Sequence, residues 1–315
     1  MLVLDRDYVV NHLPCRDCVA LMEDVLRREA AGEITQYLRT AIRLPNDAIL
    51  GLMPGYDAGG YFGVKVLSVY HHNALDGYPS HQGQILLFEK DHGAVLAAID
   101  AMSVTQIRTG AVSAAASRAL ARPDSAHLCV LGCGAQGQSH LQAMAASFDL
   151  KRFTCWDVRP ESARVLAEMG RALGIASEAC PDARTAVTGA DIVCTVTPSK
   201  TPILEYSWLK PGAHVNAVGA CAPADRELDS ETVARARFFG DNYDSVMHES
   251  GDFLIPLAEG RFEKSHFLGT VGDVLLGKLP GRTSDDQLTV FEALGMAVED
   301  LACAVRLYED YGRTH

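Results

Sequence analysis

The segment His127-Leu128-Cys129-Val130-Leu131-Gly132-Cys133-Gly134-Ala135-Gln136-Gly137 constrains this chain more than any other. It reads as an apolar strand running directly into a glycine-rich turn that opens a helix, in mid-chain. Gly132 permits the tight turn, Gly134 lets a pyrophosphate approach the backbone, and Gly137 allows close helix–strand packing. The N–H groups at the start of that helix form an anion site. A bare G-x-G-x-x-G is a weak signal, but two contexts strengthen this one. An apolar strand precedes it, and a second strand, Phe153-Thr154-Cys155-Trp156-Asp157, ends in an acid 25 residues after Gly132. An acid there accepts hydrogen bonds from both ribose hydroxyls of NAD and repels a 2′-phosphate. The spacing predicts an NAD site, with NADH preferred over NADPH. Arg159 is the nearby group that would instead approach a 2′-phosphate.

Composition agrees with a cytoplasmic enzyme. At 315 residues the chain is long enough for two domains, and 48% hydrophobic content supplies their cores. Asp5, Arg6 and Asp7 interrupt the N-terminus early, so no leader is expected, and no apolar run of about 18 residues predicts a membrane span. The net charge of −12 argues against nucleic acid as a partner. Nine cysteines are scattered along the chain. Cys129, Cys155 and Cys194 sit inside apolar strand patterns, where a thiol behaves as a small hydrophobe. Cys15-Arg16-Asp17-Cys18 has metal or redox spacing without a second pair, and His71-His72 is likewise isolated. No metal is expected.

The first hundred residues differ from the rest. Val19, Met22, Val25, Leu26 and Ala30 form a helical stripe within Pro14 to Ala31, closed by Gly32. The period then becomes two: in Leu38-Arg39-Thr40-Ala41-Ile42-Arg43-Leu44 the apolar Leu38, Ile42 and Leu44 share a face opposite Arg39 and Arg43. Short strands follow at 49–53, 62–70 and 84–88. This predicts a mostly β domain with a helix against it. An Ala-rich helix at 107–121 leads into the glycine motif. Strands at 128–131, 153–157, 192–196, 214–218 and 238–241 then alternate with helices, the pattern of a doubly wound parallel sheet. A final helix, Leu294 to Tyr308, is expected to cross back to the first domain. The fold class is α/β, a Rossmann-type domain at 114–293 plus an N-terminal α+β domain at 1–113 with 294–315.

A dinucleotide domain does not say what receives the hydride. In Gly63-Val64-Lys65-Val66-Leu67-Ser68-Val69, Lys65 shares a face with Leu67 and Val69. A lysine there needs a partner or a job if buried, or else an edge position where its amine reaches water. Arg39 and Arg108 are candidates to grip a carboxylate with paired hydrogen bonds. The loop from Tyr70 through His71 and His72 to Asn73, and the segment from Met53 to Tyr56, are expected to line a substrate pocket.

Six segments together resemble the ornithine cyclodeaminase/mu-crystallin family over nearly the whole chain. They are Pro79-Ser80-His81-Gln82-Gly83, Ile107-Arg108-Thr109-Gly110-Ala111-Val112-Ser113-Ala114, the Gly132–Gly137 turn, Lys210-Pro211-Gly212-Ala213-His214-Val215-Asn216-Ala217-Val218-Gly219-Ala220, Glu249-Ser250-Gly251-Asp252 and Leu294-Gly295-Met296-Ala297-Val298-Glu299-Asp300. The resemblance implies an N-terminal substrate and dimerisation domain, a homodimer, and nicotinamide chemistry on an amino or imino acid. By position, Arg39 and Arg108 match the family's carboxylate arginines and Lys65 its active-site lysine, making Lys65 and Arg108 the expected catalytic pair. The same correspondence puts Thr109, Gly132, Gly134, Ala135, Gln136, Gly137, Asp157, Arg159, Thr197, Val218 and Gly219 on the cofactor.

One departure bears on the reaction. Family members that deaminate carry an aspartate just after the Gly-Gly or Gly-Ala that follows the strand at 214–218, and this chain has Gly219-Ala220-Cys221. A thiol is a poor base unless its pKa is lowered. The resemblance therefore implies first an NAD(P)H-dependent reductase of imino acids or cyclic ketimine carboxylates. Ornithine cyclodeamination stands second, and a non-catalytic NAD(P)H and small-ligand binding protein third.

Overall fold

A computed structural model describes residues 1–70 and 72–314. His71, part of the expected pocket loop, lies outside the described residues. The chain divides into two compact units, Met1–Arg108 with Gly295–His315, and Thr109–Leu294.

The first unit opens with β1 (Leu2–Leu4), α1 (Arg6–His12) and α2 (Cys15–Ala30). It continues through β2 (Ile34–Gln36), β3 (Thr40–Arg43), β4 (Ile49–Asp57), β5 (Tyr61–Val69), β6 (His81–Glu89) and β7 (Val95–Asp100). Helix α3 (Ala101–Leu120) then carries the chain across the boundary at Arg108. The sheet order is β1-β7-β6-β5-β4-β2, with β3 also on β4. Among the described residues of this sheet only the β1–β7 pair is parallel. The elements β1, α1, β2 and β7 go beyond the sequence expectation. β7 reads Val-Leu-Ala-Ala-Ile-Asp, and its alanines disfavour strand, but pairing with β6 and β1 decides its state. The strand expected at Leu38–Leu44 shortens to Thr40–Arg43, and all four of its residues are exposed, so its alternation does not bury an apolar face.

The second unit alternates as expected. It runs β8 (His127–Leu131), α4 (Ala135–Ser147), β9 (Arg152–Trp156), α5 (Pro160–Ala172), β10 (Ala176–Ala179), α6 (Ala183–Val187), β11 (Ile192–Thr195) and β12 (His214–Ala217). There follow α7 (Ser230–Arg235), β13 (Arg237–Gly240), α8 (Tyr243–Glu249), α9 (Gly251–Ala258), β14 (Phe267–Thr270), α10 (Val271–Leu275) and β15 (Thr289–Glu292). The strands pair in parallel in the order β10-β9-β8-β11-β12-β15-β13-β14. β8, β11 and β12 are buried throughout, as a sheet covered on both faces requires. The order reverses between β8 and β11, and in such sheets ligands bind beyond the carboxyl ends at that switch point. The architecture is the expected α/β fold with a doubly wound parallel sheet.

The last helix, α11 (Ala297–Thr314), starts three residues later than expected, because Gly295 takes a left-handed φ of 81°. It returns to the first unit and lies on glycines of β4 and β5. A Cβ on Gly55 would come within 3.2 Å of Val298 Cγ1, and one on Gly63 within 3.0 Å of Leu301 Cδ1 and 2.8 Å of the Leu86 carbonyl. Among the described residues no helix is long and apolar enough to cross a membrane. Because the Leu86 carbonyl is backbone and cannot swing aside, Gly63→Ala should destabilise the protein by about 1–3 kcal/mol through overpacking, read as a lowered urea midpoint at unchanged slope. A midpoint equal to the wild type's would show that the backbone at Leu86 yields to the added methyl.

Candidate active site

Lys65 stands on β5, an interior strand between β4 and β6, and is 4% exposed, which excludes the edge position open to water. Its partner comes from the first turn of α11. Lys65 Nζ lies 2.6 Å from Asp300 Oδ2 and 3.4 Å from Thr105 Oγ1. The other Asp300 oxygen, Oδ1, accepts from Arg108 Nε at 3.0 Å, and Arg108 Nη1 donates to Glu299 Oε2 at 2.6 Å. Arg39 Nη2 donates to the Gly295 carbonyl at 3.2 Å. A Cβ on Gly295 would come within 2.8 Å of Arg108 Nη1, so this glycine packs against one arginine and accepts from the other. The structure thus brings together all three residues expected to handle substrate. Arg39 precedes β3 rather than standing on it and is half-buried.

Electrostatics follow from this geometry. Burial pushes the Lys65 ammonium down to about 8, and Arg108 and Arg39 push the same way, while Asp300 opposes them. Burial would raise Asp300, but Arg108 and Lys65 outweigh it and hold the carboxyl below its ordinary value. For Arg108 the cost of burial is outweighed by Asp300 and Glu299, which keep the guanidinium charged. Arg39, Lys65 and Arg108 set against Glu299 and Asp300 leave a formal charge of three minus two, or +1. A monoanion neutralises it. Glu299 and Asp300 were not singled out as site residues, although both lie in a segment that carries the family resemblance. Their signal was two adjacent acids opening an otherwise amphipathic helix.

Met53 pairs with Lys65 in register and is buried on the same face, as is Gly55 two residues on, whereas Pro54 and Tyr56 point to the opposite face. The expected lining segment is therefore split between two faces.

In the second unit, Gly132 takes φ 101°, and a Cβ there would meet Thr197 Cγ2 and the Val196 carbonyl at 2.8 Å. A Cβ on Gly137 would collide with the Gly132 carbonyl. Gly134 caps α4 without a side-chain hydrogen bond, a Cβ on it would meet nothing within 4 Å, and Gly134 and Ala135 are exposed. Gln136 Oε1 is buried and finds no hydrogen-bond partner among the described residues. Asp157 accepts from Cys133 N at 2.7 Å through Oδ2 and from Arg159 N at 2.8 Å through Oδ1. Those bonds leave lone pairs on each oxygen for further donors. Arg159 is exposed, with Nε 3.6 Å from Asp157 Oδ1. Thr109 lies buried in α3, and its carbonyl accepts from Ser113 Oγ, which also bonds His140 of α4.

Thr197 and Gly219 follow β11 and β12 and are both bonded to Glu227, a buried acid that the sequence reading missed. Val218 is buried beside Gly219. This edge fits a dinucleotide: an open glycine backbone, a helix start with no side-chain cap, an orphaned acceptor and an acid at the end of β9.

Cys221 Sγ donates to the Val218 carbonyl at 3.4 Å. The Cys15–Cys18 pair lies in α2, with Cys18 Sγ 4.0 Å from Cys303 Sγ. Among the described residues no group of three or more His, Cys, Asp or Glu is placed to hold a metal ion.

Comparison with known proteins extends the agreement beyond motifs. Ketimine reductase mu-crystallin of Mus musculus is 36% identical over 282 residues, 89% of this chain and 86% of that one. The structure of Thermococcus litoralis Δ1-pyrroline-2-carboxylate reductase, solved with NADH and L-proline, superposes with a TM-score of 0.96 at 31% identity, covering 100% and 98% of the two chains. An archaeal alanine dehydrogenase dimer with bound NAD gives a TM-score of 0.95 at 28% identity, covering 100% and 97%. Residues 1–314 match the family model, and the chain belongs to the ornithine cyclodeaminase/mu-crystallin family.

Proposed function

We propose that this chain reduces an imino acid or a cyclic ketimine carboxylate, such as Δ1-pyrroline- or Δ1-piperideine-2-carboxylate, to the amino acid with NAD(P)H. The observation that carries the reading is the cluster of buried Lys65 and Arg108 with half-buried Arg39, left one charge positive by Glu299 and Asp300. The Δ1-pyrroline-2-carboxylate reductase and ketimine reductase among its relatives support it. NADH supplies the hydride to the imine carbon when bound, and Gly132, Gly134, Ala135, Gln136, Gly137, Asp157, Arg159, Thr197, Val218, Gly219 and Thr109 are the residues proposed to hold it. Arg39 and Arg108 bind the substrate carboxylate, Glu299 and Asp300 fixing the Arg108 fork by taking its other donors. Lys65 Nζ carries the proton that the imine nitrogen takes up, and Asp300 keeps that ammonium charged. Cys221 takes no part as a base. The nine free thiols and the acidic composition suit the cytoplasm.

The test is loss of NADH absorbance on adding cyclic imino acids, followed across pH. Reduction needs the ammonium form of Lys65, and the free protein loses it as pH rises through about 8. kcat/KM should therefore fall about tenfold per pH unit above that point, and Lys65→Met should remove both the activity and the limb. Ammonia release from ornithine would favour cyclodeamination instead, and binding of NADH without turnover would favour the ligand-binding reading.

Asp157 is proposed to select NADH over NADPH, because its carboxylate would meet the 2′-phosphate. Asp157→Ser should narrow or reverse the ratio of the two dissociation constants in a fluorescence titration. A wild-type protein that prefers NADPH would remove this role.

The first unit is proposed to form a homodimer. One face of its sheet is covered by α11, while Leu52, Phe62, Val64, Val66, Leu86 and Phe88 stand half-exposed on the other, with Phe62 and Phe88 stacked at 4.9 Å. An apolar face of that kind needs cover, and a second copy supplies it symmetrically. Light scattering at micromolar concentration should give twice the 33.9 kDa chain mass, and Val64→Lys with Leu86→Lys should give one. A monomeric wild type counts against this assembly.

A further inference from the structure

We propose that Glu227 is a positioning residue for the dinucleotide: its carboxylate clips the loops after β11 and β12 together and holds them against the glycine turn. The residue is fully buried, and both of its oxygens are engaged. Oε1 accepts from Thr197 N and Thr197 Oγ1, each at 2.6 Å, and Oε2 accepts from Gly219 N at 2.8 Å. One carboxylate thus ties together the second residues beyond two neighbouring parallel strands.

The chain of contact continues to the turn itself. A Cβ on Gly132 would come within 2.8 Å of the Thr197 methyl, and one on Gly219 would collide with the Thr197 carbonyl. Glycine turn, Thr197 loop, Glu227 and Gly219 therefore form one continuous packed edge at the switch point of the sheet. Glu227 is itself held: Asp252 Oδ1 accepts from Glu227 N at 2.9 Å and from Leu228 N at 2.7 Å. Burial favours the neutral form of Glu227, and the donors from Thr197 and Gly219 oppose it. A carboxylate is the side chain that suits this place, since both oxygens face N–H or O–H donors. Glutamine keeps the shape but turns an NH2 group toward one of those donors. It opens one leaf of the clip without leaving a cavity.

The inference rests on the proposed NADH binding, and the experiment separates the two. NADH fluorescence titration comes first on the wild type, where no binding would overturn the proposed function itself. With wild-type binding in hand, Glu227→Gln should weaken NADH about tenfold, because a buried acceptor is replaced by a donor facing a donor. The KM for NADH should rise in step while kcat at saturating NADH stays within about threefold, a split that general loosening of the fold would not produce. Amide hydrogen exchange in 196–199 and 218–221 should speed up in the NADH-free variant. If Glu227→Gln does not fold, Glu227→Asp, whose shorter side chain keeps the charge but cannot reach both loops, should weaken NADH about threefold. An NADH dissociation constant equal to the wild type's in the folded variant would overturn the proposal.

Discussion

The first unit is organised around one carboxylate, Asp300, buried between the Lys65 ammonium and the Arg108 guanidinium. An ion taken out of water costs several kcal/mol unless a partner meets it with good geometry. Here both oxygens of Asp300 are used, and Glu299 takes a second donor of Arg108. That arrangement requires α11 to lie close on the sheet, which the small residues Gly55 and Gly63 allow. Pairing brings the cluster near neutrality without completing it, and the remaining positive charge is one that a monoanion would neutralise. The same geometry poises Lys65. Burial and two neighbouring cations press its proton off, Asp300 holds it on, and the balance falls at about 8.

Much of the second unit was legible in the sequence, because its signals are local. The strand before Gly132, the glycine spacing and the acid ending β9 all lie within one βαβ stretch, and the closest steric constraint, Gly137 against the Gly132 carbonyl, is internal to the motif. The first unit was harder to read. β1 and β2 are three residues each, β7 is alanine-rich, and their strand state comes from pairing rather than from propensity. In β3 the alternation was present but nothing buries it, since all four residues remain exposed. Period two in a sequence states which residues share a face, and only the tertiary fold states whether that face is covered.

The site shows the same division. Arg39, Lys65 and Arg108 were found from residue type and from the family resemblance, and the structure brings them into one cluster. Whether Lys65 was buried or at an edge was undecidable from Val64-Lys65-Val66, because both contexts tolerate that pattern. Its partner lies more than two hundred residues away, in the first turn of α11. Glu227 escaped for a related reason. Arg226-Glu227-Leu228 reads as an unremarkable surface turn, and only the fold reveals that its acid is enclosed by donors from two other loops.

Asp300 and Glu227 both act by accepting, one from cations and one from backbone and hydroxyl donors, and neither stands where Cys221 does. A reaction that removes ammonia asks for a base able to activate an amine or water. Four residues beyond the end of β12, at the place of that aspartate, this chain offers a thiol whose Sγ donates to the Val218 carbonyl. A donor engaged in that bond is still a thiol, and a thiol must become thiolate before it can serve as a base. Imine reduction asks for less: a carboxylate anchor, a proton at nitrogen and a hydride at carbon. In the proposed reading Arg39 and Arg108 meet the first demand and Lys65 the second, and the third is assigned to a nucleotide held at the glycine edge. The groups this protein retains are those that reduction uses, and the group it lacks is the one that deamination adds.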